Sequence, residues 1–401
     1  MHILHVITTM NPADGGPSQG IRNLDKAMRE MGVVREVMCM DAPGSPYLDN
    51  NGFKIHVVGP AGGWWHYSSA LIPWLTENIS RFDVVIINGL WLYHSYATWK
   101  VIKKLKKTAP DKKLPRVLVM PHGMLDPYFQ VAKERRLKAI RNWIYWKLIE
   151  SKVVNDADGL LFTCETEMLL ARETFSPYHP KNEYNIGYGI EAPPIYEPQM
   201  SVTFNAHCPD LNGAPYLLFL SRIHQKKGVD LLVKAYIYLY KSRKPEDTKL
   251  PKLVIAGPGL DSHFGKKLRD EVNKFPEIKA NIFFPGMLTG DAKWGAFYGC
   301  EAFVLPSHQE NFGIAVAEAL ACYKPVLISD QVNIWREIKN GGFVSPDTFE
   351  GTRSIIEKWL NLSVIDKKQM EQNAWNVYHE NFQNVPAALK FFKALSIIEE
   401  N

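Results

Sequence analysis

The feature that most constrains this chain is an alternation of short apolar runs with longer amphipathic stretches, broken once and then begun again. The runs "HILHVIT", "REVMCM", "KIHVVG", "DVVIIN", "RVLVMP" and "GLLFT" fill the first half. Each is bounded by turn residues, and the segments between them carry helical spacing. Strands alternating with helices give parallel sheets, because parallel neighbours need a crossover. A proline-rich stretch, "IEAPPIYEPQM" from Ile190 to Met200, interrupts the pattern. The alternation restarts with "YLLFLS", "KLVIAG", "NIFFPG", "AFVLPS" and "PVLIS". One break and one restart predict an α/β protein of two doubly wound domains, over residues 1–193 and 194–383, rather than one eight-fold barrel. The last helix, in "VPAALKFFKALSIIEE" within residues 384–401, follows both.

Composition narrows the function classes. With 46% hydrophobic and 22% charged residues the chain reads as globular, and a net charge of +5 is too mild to argue for nucleic acid. Five cysteines (Cys39, Cys164, Cys208, Cys300, Cys322) lack metal-ligand spacing, which reads as a reducing compartment and no zinc. No apolar run reaches the ~18 residues of a spanning helix. "MHILHVITTM" has no basic n-region and reads as a first strand, so the expected location is cytoplasmic.

In open parallel sheets ligands bind beyond the carboxyl ends of the strands, so the exit loops carry the candidate chemistry. After the first run, "MNPADGGPSQGIRNL" holds Gly15 and Gly16, which let the backbone approach a ligand, and Pro17, which suits a helix start. Free amides there can face a phosphate. The alternative is a plain glycine-containing turn. The loop is not G-x-G-x-x-G and no acid closes the second strand, which disfavours a dinucleotide oxidoreductase.

"SRIHQKKGVDLL" places Arg222 at a strand end, Lys227 five residues on, and Gly228 at the turn into a helix. Two cations at the mouth of a sheet make a diphosphate clamp, against which stands a solvated basic loop. "MPHGMLDPY" puts His122 beside Gly123 at another strand's end, where a side chain points into the cleft between domains. A structural or merely exposed histidine is the other reading.

The sharpest signal is "PSHQENFGIAVAEALACYKPVLIS". Glu318 sits mid-helix with Ile314, Ala315, Ala321 and Cys322 at helical spacing, so its whole face is apolar. Burying that carboxylate unpaired costs roughly 2–7 kcal/mol or more. Glu310 lies in the loop before, and Asn311, Phe312 and Gly313 lead into the helix start. Ligand hydroxyls are expected to satisfy both carboxylates without a buried cation. A ligand with many hydroxyls and a diphosphate, such as a nucleotide sugar, fits all four loops.

These residues carry a resemblance. "ENFGIAVAE" resembles the E-x7-E motif of glycosyltransferase family 4, and "SRIHQKKGVDLL" is similar to that family's R-x4-K-G segment. The glycine loop at Gly15–Gly16, "PHG" at His122, and "IWREI" and "GGFV" around Glu337 and Gly342 fall in the family's order over nearly the whole chain. The resemblance implies a GT-B architecture: two Rossmann-like domains facing across a cleft, the last helix crossing back to the first. It implies metal-independent transfer with retention and no cofactor. By motif match Arg222 and Lys227 hold the donor diphosphate, and Glu318 the ribose hydroxyls. Glu310 and the backbone of Asn311, Phe312 and Gly313 hold the donor sugar. Gly16 gives phosphate and acceptor room, His122 contacts the sugar near the reacting carbon, and the backbone of Met287 lies near the base. Gln225 stands where the family commonly has proline, and "IGYGIEAP" replaces its usual Asn-Gly-Ile/Val-Asp.

The implied activity moves a hexose from a nucleotide diphosphate sugar, UDP-glucose first and GDP-mannose next, to a saccharide or lipid-linked saccharide in polysaccharide assembly. The expected setting is the cytoplasmic side of a membrane. Arg222, Lys227 and the helix start meet the charge growing on the leaving phosphate, and no carboxylate base is expected at the anomeric carbon, Glu310 being the rival for that role. A sugar-nucleotide epimerase or hydrolase and a non-catalytic nucleotide-sugar-binding subunit are the alternatives.

Three further signals receive plainer readings. "DAD" at Asp156–Asp158 matches a metal-binding DxD but reads as a turn end. "KERRLKAIRNWIYWKLIESK" carries a stripe of Leu137, Ile140, Ile144 and Leu148, read as core-facing with a solvated basic face; peripheral docking on an anionic membrane is the second reading. "GGWWHYSSALIPW" either lines the acceptor side or packs.

Overall fold

The computed structural model describes residues 1–14, 16–49, 51–132, 135–243 and 250–400. The chain divides into two compact units, Met1–Gly189 with Asn384–Asn401, and Ile190–Gln383.

The first unit is built on seven strands: β1 (His2–Ile7), β2 (Val34–Cys39), β3 (Lys54–Val57), β4 (Val84–Asn88), β5 (Arg116–Met120), β6 (Gly159–Phe162) and β7 (Glu183–Asn185). They lie in the order β3-β2-β1-β4-β5-β6-β7, and every pairing is parallel. All five residues of β4 are buried, as expected of a central strand covered on both faces. One face packs against Leu71, Leu75, Ala97 and Trp146. On the other, the helix Asn384–Glu400 lays Ala387, Ala388, Phe391 and Leu395 over Ile3, Ile86 and Leu118, so the chain's last helix completes the first unit's core.

The second unit has six parallel strands: β8 (Tyr216–Leu220), β9 (Lys252–Ala256), β10 (Ile282–Gly286), β11 (Ala302–Leu305), β12 (Val326–Ser329) and β13 (Gly342–Ser345). The order is β10-β9-β8-β11-β12-β13, the Rossmann order. It reverses direction between β8 and β11, as the first sheet does between β1 and β4. Exit loops diverge at such a switch point and leave a crevice.

Three features depart from the sequence reading. The edge strands β7 and β13 are absent from the runs recognised as strands; "EYN" and "GFVS" are too short and too mixed to carry a period. The proline-rich stretch is only partly a linker, because Pro198 opens the helix Pro198–His207. Gly295 on the helix Gly290–Gly299 lets that backbone pack close, since a Cβ there would run into the Met200 carbonyl. Finally, the stripe Leu137, Ile140, Ile144 and Leu148 does not face the core. All four side chains are exposed, and the same helical run buries Asn142 and Glu150 instead.

Candidate functional site

In the second unit the switch point gathers most of the predicted residues. The Lys227 ammonium is ion-paired to Oε2 of Glu310, joining the exit loop of β8 to that of β11. The backbones are joined too. The His308 N–H and Ser307 hydroxyl donate to the Lys226 carbonyl at 2.8 and 3.0 Å. Gly228 has φ +65°, and a Cβ there would run into the Pro306 carbonyl, so only glycine allows the two loops this approach. Glu310 is held by its own backbone, donating to Gln331 O and accepting from Asn333 N–H, both at 2.9 Å.

Arg222 leaves β8 beside the loop after β9, with Ser221 N–H on Ala256 O (3.1 Å) and Ile223 N–H on Pro258 O (2.8 Å). Its side chain is exposed and in no ion pair among the described residues. Gly257 N–H donates to Gly286 O at 2.7 Å, and Met287 follows, its side chain exposed. The Phe312 ring is buried edge-on against Phe382, centroids 5.5 Å apart, so it serves as a packing anchor. Gly313, at φ +78°, turns the chain into the helix Ile314–Ala321, whose first amides open beside Glu310.

Glu318 is met by a cation. Lys293, from the helix Gly290–Gly299, places Nζ 2.6 Å from Oε1, and its ammonium also lies over the Trp294 ring at 4.4 Å. This corrects the expectation that ligand hydroxyls alone would satisfy the carboxylate. Burial still holds the Glu318 carboxyl above its ordinary range, with Lys293 pulling the other way.

His122 and Gly16 belong to the first unit, and Gly15 lies outside the described residues. His122 follows β5 at φ +52°, a conformation unusual outside glycine, and Gly123 continues at +78°. The turn is pinned by buried Glu167, which accepts from Gly123 N–H (2.5 Å) and from the Thr163 N–H (2.8 Å) and hydroxyl. Burial pushes the His122 imidazole down to about 4, so the ring is neutral near pH 7. Its Nε2 lies 3.2 Å from Asn88 Oδ1. The Asn88 amide nitrogen faces Ile86 O and His5 Nδ1, so Oδ1 is the acceptor and the His122 Nε2 donates, leaving Nδ1 as its acceptor atom. Gly16 opens the helix Gly16–Asn23, and its carbonyl accepts from the Tyr188 hydroxyl at 2.7 Å.

The sequence reading missed several residues. A cavity of about 420 Å³ opens where β1 and β4 diverge, lined by Thr8, Asn11, Asp41, Tyr47 and His66 among others. Asp41 accepts from Met10 N–H (2.8 Å) and the Tyr47 hydroxyl (3.0 Å), which fixes its orientation. Lys293, Glu167 and Asp41 sit on no motif. Only Gly257 and Gly259, in "AGPG", carried a legible signal, glycines closing a strand. In the aromatic segment Trp65 packs, donating Nε1–H to the Tyr145 hydroxyl at 2.7 Å, whereas Trp64 is exposed. In "DAD", Asp158 binds the Val117 N–H at 2.9 Å and Lys181 at 2.8 Å, and Asp156 accepts from Trp99 Nε1 at 2.7 Å.

Two Rossmann-like units, each a parallel sheet with its own switch point, define the class of fold, and comparison with known proteins gives the family. The model described as "Glycosyl transferases group 1" matches residues 209–377, and "Glycosyl transferase 4-like domain" matches residues 15–180. The chain belongs to these group 1, family-4-like glycosyltransferases, which use nucleotide-sugar donors. It is similar to the O-antigen chain mannosyltransferase C of Escherichia coli, 22% identical over 382 residues, covering 90% of this chain and 89% of that one. Its fold is GT-B. It is like that of Anabaena Alr3699/HepE solved with UDP and glucose (TM-score 0.71, 15% identity, 99% of each chain). It is also like a glycosyltransferase of Rickettsia africae ESF-5 (TM-score 0.75, 15% identity, 100% of this chain and 99% of that one).

Proposed function

We propose that this chain is a retaining hexosyltransferase that moves glucose from UDP-glucose to a saccharide or lipid-linked saccharide acceptor in polysaccharide assembly. The observation that carries the proposal is the Lys227–Glu310 pair at the β8–β11 switch point, flanked by Arg222 and the helix opened by Gly313. The donor diphosphate takes Lys227 and Arg222, and Glu310 then turns from Lys227 to the sugar hydroxyls. As the bond to the anomeric carbon breaks, charge grows on the β-phosphate, where two cations and free helix amides meet it. These groups suffice for metal-independent transfer. The acceptor hydroxyl attacks from the same face, and the departing phosphate takes its proton. Glu318, oriented by Lys293, binds the ribose hydroxyls, and the Met287 backbone lies along the base.

Within the first unit, His122 offers a neutral ring to substrate, and the cavity at Asp41 and His66 receives the acceptor. The UDP and glucose bound by the Anabaena protein support the donor reading. A mannose donor is the second reading, favoured by the Escherichia coli relative, whose name is that of a mannosyltransferase.

The test is release of nucleoside diphosphate from a panel of UDP-, GDP- and ADP-sugars with chelator present. Cleavage of UDP-glucose, lost in Lys227→Ala and Glu318→Ala, is the expected result. Cleavage of another donor alone replaces the sugar; cleavage that persists in both variants overturns the site.

A further inference from the structure

Between Arg136 and Lys152 the molecule inverts the ordinary burial of an amphipathic helix. The helix Arg136–Tyr145 runs through a π-helical turn, Trp146–Glu150, into the helix Ser151–Asp156. Its inward side carries Asn142, Trp146 and Glu150, all buried. Its outward side carries Leu137, Ile140, Ile144 and Leu148, spaced three and four residues apart and between 47% and 85% exposed, with exposed Trp143 beside them. A stripe from Leu137 to Leu148 is about 16 Å long at the helical rise. Lone exposed apolar residues are ordinary; a continuous helical stripe of four with a tryptophan is a contact surface.

The charges around the stripe select the partner. Arg136, Lys138, Arg141, Lys147 and Lys152 are all exposed, and the only acid among residues 135–152 is Glu150, which is buried. At 100° per residue Arg136 and Arg141 flank opposite sides of the stripe in the helix Arg136–Tyr145, and Lys147 and Lys152 add exposed cations in and after the π-helical turn. A second copy laid on this face in a two-fold dimer would bring its own cations against these. An anionic lipid surface complements both parts: acyl chains take the leucines and isoleucines, and headgroup phosphates take the exposed cations, replacing the protein oxygens that Lys147 (Ser176 O, 2.6 Å), Lys152 (Leu148 O, 3.0 Å) and Arg141 (Asn142 Oδ1, 2.9 Å) now meet. Tryptophan favours that same boundary. Among the described residues no helix is long and apolar enough to cross a membrane. We infer that the Arg136–Lys152 face is a docking surface that lays this chain on anionic membrane, independently of which sugar it transfers.

The experiment is co-sedimentation of the full chain with vesicles of phosphatidylcholine alone and of phosphatidylcholine with about 30% phosphatidylglycerol. Wild type is compared with Leu137→Glu/Ile144→Glu and with Arg141→Glu/Lys147→Glu. These side chains lie on the surface and outside the donor site, so donor cleavage and thermal unfolding report that the variants are folded. The expected result is sedimentation with the anionic vesicles that falls at least tenfold in each variant and weakens with salt, donor cleavage unchanged. Equal sedimentation of wild type and variants, or none with anionic vesicles, overturns the proposal. So does a wild-type dimer in solution that both variants dissociate, since the face would then be covered by a second copy.

Discussion

Lys227 and Glu310 are ion-paired across the β8–β11 switch point, each group fixed to a loop whose backbone is bonded to the other. In the proposed reaction the pair couples donor binding to a rearrangement: a diphosphate would compete with Glu310 for Lys227, and the freed carboxylate would then accept from sugar hydroxyls.

Removing either partner should therefore have different effects. Lys227→Ala leaves Glu310 half-buried without its cation and removes the positive charge proposed to meet the leaving phosphate. We predict a fall in kcat of about 10²–10³ and a stability loss of roughly 1–3 kcal/mol. Glu310→Gln frees Lys227, so binding of nucleoside diphosphate should hold or tighten while kcat falls. Isothermal titration with the diphosphate separates the two; weaker diphosphate binding in Glu310→Gln would sink the coupling.

Gly228 has the left-handed φ and the close approach that make the pair possible. Gly228→Ala is predicted to cost upward of about 2 kcal/mol and to lower activity with it, because loops displaced by a Cβ cannot keep Lys227 on Glu310. Chemical denaturation reads the first effect and donor cleavage the second. A neutral substitution would show that the loops yield freely.

The His122 imidazole, lowered to about 4 by burial, predicts a flat activity profile across pH 5.5–8 as far as this residue is concerned. Its acid limb should lie near 4, well below the ordinary histidine value of about 6.5. Asn88→Ala, which removes the acceptor for Nε2–H, should lower kcat more than it raises KM. Histidine proton resonances followed through pH give the titration directly, and a midpoint near 6.5 for His122 contradicts the burial argument.

Glu150 has its carboxyl pushed up to about 8, chiefly by burial, with Ser95 and the Trp91 amide partly opposing. Its folded value exceeds its unfolded value of about 4.5, so the folded state binds the extra proton. Its contribution to stability is whole below about 4.5 and is lost as pH rises through 8. Glu150→Gln mimics the protonated form and should flatten stability between pH 5 and 9, gaining most on wild type at the alkaline end. Urea midpoints at several pH values check this; parallel curves for the two proteins would refute it.

Much of this molecule was readable one residue at a time. Central strands such as β4 and β11 are apolar, the terminal Asn88 apart, because both faces are covered, and that continuity survives in sequence. Gly228 and Gly313 were legible because only glycine tolerates those turns. Strands β7 and β13 were not, since "EYN" and "GFVS" are short and mixed, whereas the equally outer β3 and β10 sit in apolar runs that could be read. The partner of Glu318 was equally hidden. Nothing within a helical turn of Lys293 marks it as the partner of a carboxylate, and it meets Glu318 only through the fold, from the separate helix Gly290–Gly299.

The stripe at Leu137 shows the boundary most clearly. Amphipathic spacing is a local property, and the sequence determines that this segment has an apolar face and a basic one. Which face meets the sheet depends on what else competes for that surface. Here Trp146 fills the core against Phe175 at 4.8 Å, Asn142 and Glu150 turn inward with it, and the leucines and isoleucines are left outside. Sequence alone determined the two doubly wound units, the switch-point loops and the candidate residues they carry. Tertiary packing decided which charges meet and which apolar face stays open, because burial is shared among segments far apart in the chain.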